Sequence, residues 1–209
     1  MSSKSIAEYK AVLSKYIPED IVDSMLRYLL KNDIYFVITN KRTTKLGDYR
    51  WPQHNEMRHR ISVNGDLNKY AFLLVLLHEI AHYENYVRYK NMVKPHGLEW
   101  QTVYSKLLMK YINVFPSDVA ELIARYISTI PLKNSIEREL MDCVVKYDDN
   151  TDYLNMPQVK DLSLNTVFQT DDGRTFKVLE KRRTRYKCIL LSTGQMYLVP
   201  GHMRVKISD

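Results

Sequence analysis

Residues 67–100 read LNKYAFLLVLLHEIAHYENYVRYKNMVKPHGLEW. Over 67–90 the pattern is helical, and from Ala71 to Leu77 every residue is apolar. A helix that is apolar all round belongs in a core rather than on a surface. Pro95 and Gly97 interrupt the pattern, which resumes as a helix over Leu98–Ile112. The apolar run is far too short to span a bilayer, and charged helix residues follow it.

Outward from this centre, Asn64-Gly65 is a turn signal, and Asp66 or Asn68 can cap the central helix. Three runs before it read as strands: Ile34–Thr39, Lys45–Trp51 with Pro52 stopping it, and Arg58–Val63. Further upstream, Ile6, Tyr9, Val12, Leu13 and Tyr16 predict an amphipathic helix over residues 5–16. Pro18 opens a second helix that runs to about Leu30. Downstream, Pro116 and Ser117 open a helix to about Ser128, and Asn134 or Ser135 can cap a last one to about Tyr147.

The composition then changes. Asp148–Lys160 is polar and aperiodic, and reads as a linker. Beyond it lie short β-like runs at Thr166–Gln169, Thr175–Glu180, Tyr186–Leu191, Met196–Val199 and Val205–Ile207. Asp172-Gly173 and Thr193-Gly194 are hairpin signals among them. The expectation is an α+β chain. Residues 1–147 form a mainly helical domain with a small sheet, 148–160 link, and 161–209 form a small β-rich domain.

The chemistry sits in HEIAH, His78 to His82. Positions i and i+4 share one face of a helix, so both imidazoles can reach one ion. Zinc suits imidazole ligands and leaves a position for water, and Glu79 is placed to take that water's proton and later return it. Two residues compete for the third ligand: His96, in the Pro95–Gly97 break, and Glu99 on the following helix. His96 has the better context, because a loop can fold back on the ion. The metzincin continuation would need Gly at Asn85 and His at Arg88, and is absent. His54, His59 and His202 have no useful spacing and are read as surface or core residues.

The 209 residues carry a net charge of +7. Such a balance fits nucleic acid, an acidic partner, anionic lipid or no special partner. The start, MSSKSIAEYKAVLSKY, has no uninterrupted apolar leader, and Cys143 and Cys188 stand far apart, so a cytoplasmic protein with reduced thiols and no membrane contact is expected.

Three features together resemble the SprT-like (Spartan-type) metalloprotease domain: LGDYRW upstream, LLHEIAHYENY at the motif, and HGLEWQ after it, spanning about residues 20–115. The resemblance implies one zinc ion on His78, His82 and His96, and Glu79 as general base. It implies a zincin-like arrangement, with a small sheet beside the active-site helix. In that arrangement an edge strand aligns the substrate peptide by strand addition; the candidate is Lys45–Trp51, with Leu46, Gly47, Asp48, Tyr49 and Arg50 at its centre. Eukaryotic relatives degrade proteins crosslinked to DNA and are switched on by DNA, which implies DNA-associated substrates. Many bacterial relatives end in a zinc ribbon with paired cysteines; here Cys188 stands alone, so a second zinc is not expected.

Lys181, Arg182, Arg183, Arg185 and Lys187 form a basic cluster with Tyr186 among them as an expected exposed aromatic. Residues 158–209 hold ten Lys and Arg against five Asp and Glu. Such a surface can grip phosphates and stack a base, face an acidic protein, or be a solvated hairpin. Three functions follow: a zinc peptidase acting on a protein or peptide, a nucleic-acid-binding module with structural zinc, and a zinc hydrolase of small amides.

Overall fold

The computed structural model describes residues 5–42, 44–53, 58–128, 135–148, 156–170, 172–183, 185–201 and 203–208. The chain is mixed α and β, and divides into two compact units, residues 1–149 and 150–209.

The first unit is built round a 21-residue helix. In chain order it contains α1 (Ile6–Leu13), α2 (Val22–Lys31), β1 (Ile34–Thr39), β2 (Gly47–Arg50), β3 (His59–Asn64), α3 (Lys69–Tyr89), α4 (Leu98–Tyr111), α5 (Ser117–Ser128) and α6 (Ser135–Val144). Asn68 caps α3: its side-chain oxygen accepts from the backbone N–H groups of Tyr70 and Ala71, at 3.0 and 2.9 Å. Every residue from Ala71 to Leu77 is at most 8% exposed, as the apolar run predicts. Each Phe, Leu or Val side chain in the run contributes about 1.5–3 kcal/mol when fully buried.

The three strands form one sheet in the order β1-β3-β2. β1 runs parallel to β3, and β2 runs antiparallel to it with Gly47 opposite Val63 and Tyr49 opposite Ile61. Among the described residues β2 pairs on one side only, so it is an edge strand. It is shorter than the run Lys45–Trp51 suggested. Upstream, α1 is also shorter than expected. Ser5 closes it with a reciprocal capping box with Glu8. Its Ile6, Tyr9 and Val12 remain exposed, and only Leu13 of the helix is buried.

The second unit is a five-stranded antiparallel sheet, β4 (Val167–Gln169), β5 (Thr175–Lys181), β6 (Arg185–Leu190), β7 (Met196–Pro200) and β8 (Lys206–Ile207), in the order β7-β6-β5-β4-β8. Gly173 and Gly194 make the expected turns at φ 80° and 71°, where a side chain would be strained. Phe168, Phe176, Val178, Cys188 and Val205 fill the core.

The end of the compositional linker is structured here. Residues 149–155 lie outside the described residues, but Val159 is fully buried in this second core. Val159 N–H donates to Met203 O at 2.9 Å and Lys160 N–H to Gly201 O at 2.8 Å. One apolar residue in a polar stretch anchors the segment. Among the described residues no helix is long and apolar enough to cross a membrane.

Candidate metal centre

His78 and His82 lie one turn apart on α3, and His96 sits in the loop between α3 and α4. His96 has φ 58°, the left-handed region that histidine enters more readily than most side chains. The loop is fastened from α4: Gln101 Nε2 donates to His96 O at 3.0 Å. The three Nε2 atoms converge. His82 lies 3.2 Å from His78 and 3.0 Å from His96, and His96 lies 3.1 Å from His78. Glu99 is not part of this cluster.

Trp100 is the floor of the site. It is 1% exposed, and its ring centre lies 4.6 Å from those of His78 and His96 and 5.2 Å from that of His82. Tyr104 stacks beneath it at 4.9 Å. Burial pushes His78 down to about 3, helped by repulsion from His82 and His96. Burial and the neighbouring His96 push His82 down to about 4, and burial lowers His96. All three imidazoles are therefore neutral near pH 7, the state in which they ligate metals.

The donor set fits zinc. Tetrahedral zinc with Zn–N bonds of about 2.0–2.1 Å needs nitrogens roughly 3.4 Å apart, a few tenths of an ångström beyond the observed spacing.

Glu79 is 6% exposed and belongs to the sheet side of α3. Its carboxyl is pushed up to about 8 by burial first, then by Asp48; Arg42, Lys45 and the Tyr49 backbone N–H oppose the rise. Burial alone would raise Asp48 too, but Lys45 at 2.6 Å and Arg50 at 2.8 Å hold it below the usual carboxylate range. Asp48 therefore stays ionised and its field acts on Glu79. β2 reaches this close to Glu79 because residue 47 is glycine. A Cβ there would lie 2.6 Å from Val75 Cγ1 and 2.8 Å from Glu79 Cγ, and closer still to Glu79 Oε1.

Residues 19–120 match the SprT-like family model. The first unit contains a SprT-like domain. No curated protein and no solved structure matches the chain. The family is consistent with a metallopeptidase-like domain.

Within the SprT-like domain, the structure brings together His78, His82 and His96 and sets β2 beside Glu79. On β2, Tyr49 Oη lies 2.8 Å from His59 Nδ1, and Leu46, just before the strand, is exposed. His54 and His202 lie outside the described residues.

Sequence reasoning missed Arg42. Its guanidinium donates to Asn64 Oδ1 at 2.7 Å, Ser62 Oγ at 3.1 Å and Leu46 O at 3.4 Å. It thereby ties the loop before β2 to β3. It also missed the role of Trp100, which only the folded packing reveals.

In the second unit, Arg182, Arg183, Arg185 and Lys187 line a groove of about 460 Å³ with Met196, Tyr197 and Leu198. Lys181 ends β5 outside this lining, and Arg182 pairs with Glu180 at 3.1 Å. Tyr186 is not the exposed aromatic expected. Strand alternation turns it inward, 4% exposed, where its hydroxyl donates to Lys160 O at 3.2 Å.

Proposed function

We propose that the SprT-like domain is a zinc-dependent, zincin-like endopeptidase that hydrolyses peptide bonds in DNA-associated proteins. The observation that carries this is the convergence of three neutral imidazole nitrogens beside a buried carboxylate that is not itself part of the cluster. His78, His82 and His96 would hold the ion. Zinc bound there supplies a Lewis acid that acidifies a water and polarises the scissile carbonyl.

Glu79 moves the proton. Burial makes it a stronger base than an exposed carboxylate, a cation held by the histidines would favour its ionised form, and the proton it takes can be returned to the departing amine. The Tyr49 backbone N–H and the Gly47 approach orient it. Apart from the Tyr49 N–H, which Glu79 engages, the free edge of β2 offers backbone groups to an extended polypeptide, which favours a protein over a small amide. The basic groove of the second unit supports the DNA link: four cations surround apolar and aromatic surface.

The test is cleavage of an unstructured basic protein by the zinc-loaded chain, with and without single-stranded DNA, beside Glu79→Gln. Cleavage that needs Glu79 and rises with DNA is expected. Bound zinc with no cleavage under any condition overturns the peptidase. Salt-sensitive DNA binding without turnover would then leave a binding module with structural zinc.

A further inference from the structure

A second group of aromatic rings lies past the histidines along α3. Gly47, Tyr49 and Trp51 alternate along β2 and its continuation, so they share the face turned to α3. Gly47 meets Glu79. Tyr49 meets Tyr83 and Tyr86, with ring centres 6.3 and 6.2 Å away. Trp51 stacks on Tyr86 at 5.5 Å, with planes 9° apart. Strand and helix therefore run side by side in one direction, and the line from Gly47 to Trp51 passes from Glu79 beyond His82 to Tyr86.

His59 of β3 closes the inner wall, 4.8 Å from Tyr83 and 5.7 Å from Tyr86. Tyr83 is buried, whereas Trp51 and Tyr86 are only half-buried. The pair is thus an apolar shelf at the end of a free strand edge, not part of the closed core.

We propose that Trp51 and Tyr86 form an apolar subsite of the peptide cleft, which takes an aromatic or large aliphatic side chain of the substrate. This rests on the endopeptidase reading. An extended chain added to β2 rises about 3.3 Å per residue and sends alternate side chains towards α3. The side chain seated on Trp51 and Tyr86 then belongs to a residue about two to four positions from the bond beside Glu79. Folded proteins bury most such side chains, whereas unfolded or disordered segments present them freely on an extended backbone. The subsite therefore selects unfolded polypeptide rather than native domains.

Two measurements test this. The first is fluorescence anisotropy of labelled, unstructured peptides on zinc-loaded Glu79→Gln protein, comparing one central Phe with Ala. Phe should tighten binding about tenfold, the worth of one well-seated ring. Trp51→Ala should erase that gain, and Trp51→Phe should keep most of it. The second is mass-spectrometric mapping of sites cut by the wild type in an unstructured protein. Aromatic or large aliphatic residues should be enriched at one fixed distance from the cut.

Glu79-dependent cutting without that enrichment, and with binding indifferent to Trp51, overturns the subsite and leaves the peptidase standing. Trp51-dependent preference for Phe without any cutting upholds the subsite and removes the peptidase. Loss of both removes both.

Discussion

Gly47→Ala tests how the strand and the helix assemble the site. The new methyl group would stand 2.6 Å from Val75 Cγ1 and 2.8 Å from Glu79 Cγ. Carbon atoms pack comfortably from about 3.5 Å, so the shortfall is about 0.7–0.9 Å. Val75 cannot give way easily, because α3 is buried along this stretch. What yields is β2, held on one side only, or the Glu79 side chain. Either movement disturbs the bond between the Tyr49 N–H and the Glu79 carboxylate. A misplacement of about 1 Å at a reacting group costs roughly 100-fold in rate, and overpacking costs about 1–3 kcal/mol of stability.

The expected result is a fall in kcat/KM on the order of 100-fold with a lowered Tm and full zinc content. The candidate ligands sit on α3 and the loop after it, whereas the atoms nearest the new methyl belong to Val75 and Glu79. Initial rates, metal analysis and thermal unfolding read the three quantities. An unchanged kcat/KM and Tm would refute the close approach of β2 to Glu79. Loss of zinc would refute the separation of the carboxylate's support from that of the ligands.

Gln101→Ala removes the amide that fastens the His96 carbonyl, and should weaken zinc binding by about 10–100-fold in chelator competition; unchanged affinity would show that the loop holds its own shape. In zinc-free protein the Glu79 carboxyl is raised from 4.5 to about 8, so its contribution to stability is full below 4.5 and is lost as pH rises through 8. The stability of wild type relative to Glu79→Gln should therefore fall between pH 5 and pH 8.5, roughly the span of that shift. Urea unfolding of both proteins measures this difference, in which the histidine contributions common to both cancel; a constant difference would refute the burial of a titrating carboxyl. Neutralising Arg182, Arg183, Arg185 and Lys187 together should flatten the salt dependence of single-stranded DNA binding by about 0.7 for each phosphate no longer gripped. An unaltered slope in a salt titration would place the DNA on another surface.

The central helix and two of its histidines were legible because their information is local. Ala71–Leu77 announces burial, and the i, i+4 spacing sets both rings on one face. His96 was legible as a ligand candidate from its Pro–Gly setting, but its left-handed backbone and the Gln101 fastening arise from the meeting of loop and helix. The approach of Gly47 to Glu79 is a distance between strand and helix, which no pattern in LGDYRW encodes. The strand order β1-β3-β2 mixes parallel and antiparallel pairing across about 30 residues of chain, and alternation alone cannot choose it. The segment 156–160 was hidden because composition averages over a window, whereas Val159 acts as one buried anchor. Tyr186 was misjudged for a related reason: its basic neighbours on both sides belong to the opposite face of the strand.

The geometry of the three imidazoles suits a shared cation. Each neutral ring offers one hydrogen or one lone pair at Nε2. Three such atoms 3.0–3.2 Å apart cannot satisfy one another, since a closed ring of hydrogen bonds would require each nitrogen to donate and accept at one position. Protonation would remove the conflict of lone pairs, but burial and mutual repulsion hold His78 near 3 and His82 near 4. A metal ion would engage all three lone pairs at once. The apolar burial that makes α3 the centre of the core thus also keeps its histidines neutral, and stability and metal affinity grow from the same residues. Glu79, on the same helix, experiences the same burial with the opposite sign: its carboxyl holds a proton more tightly. One low-dielectric environment therefore produces both a ligand set without protons and a carboxylate suited to carrying one.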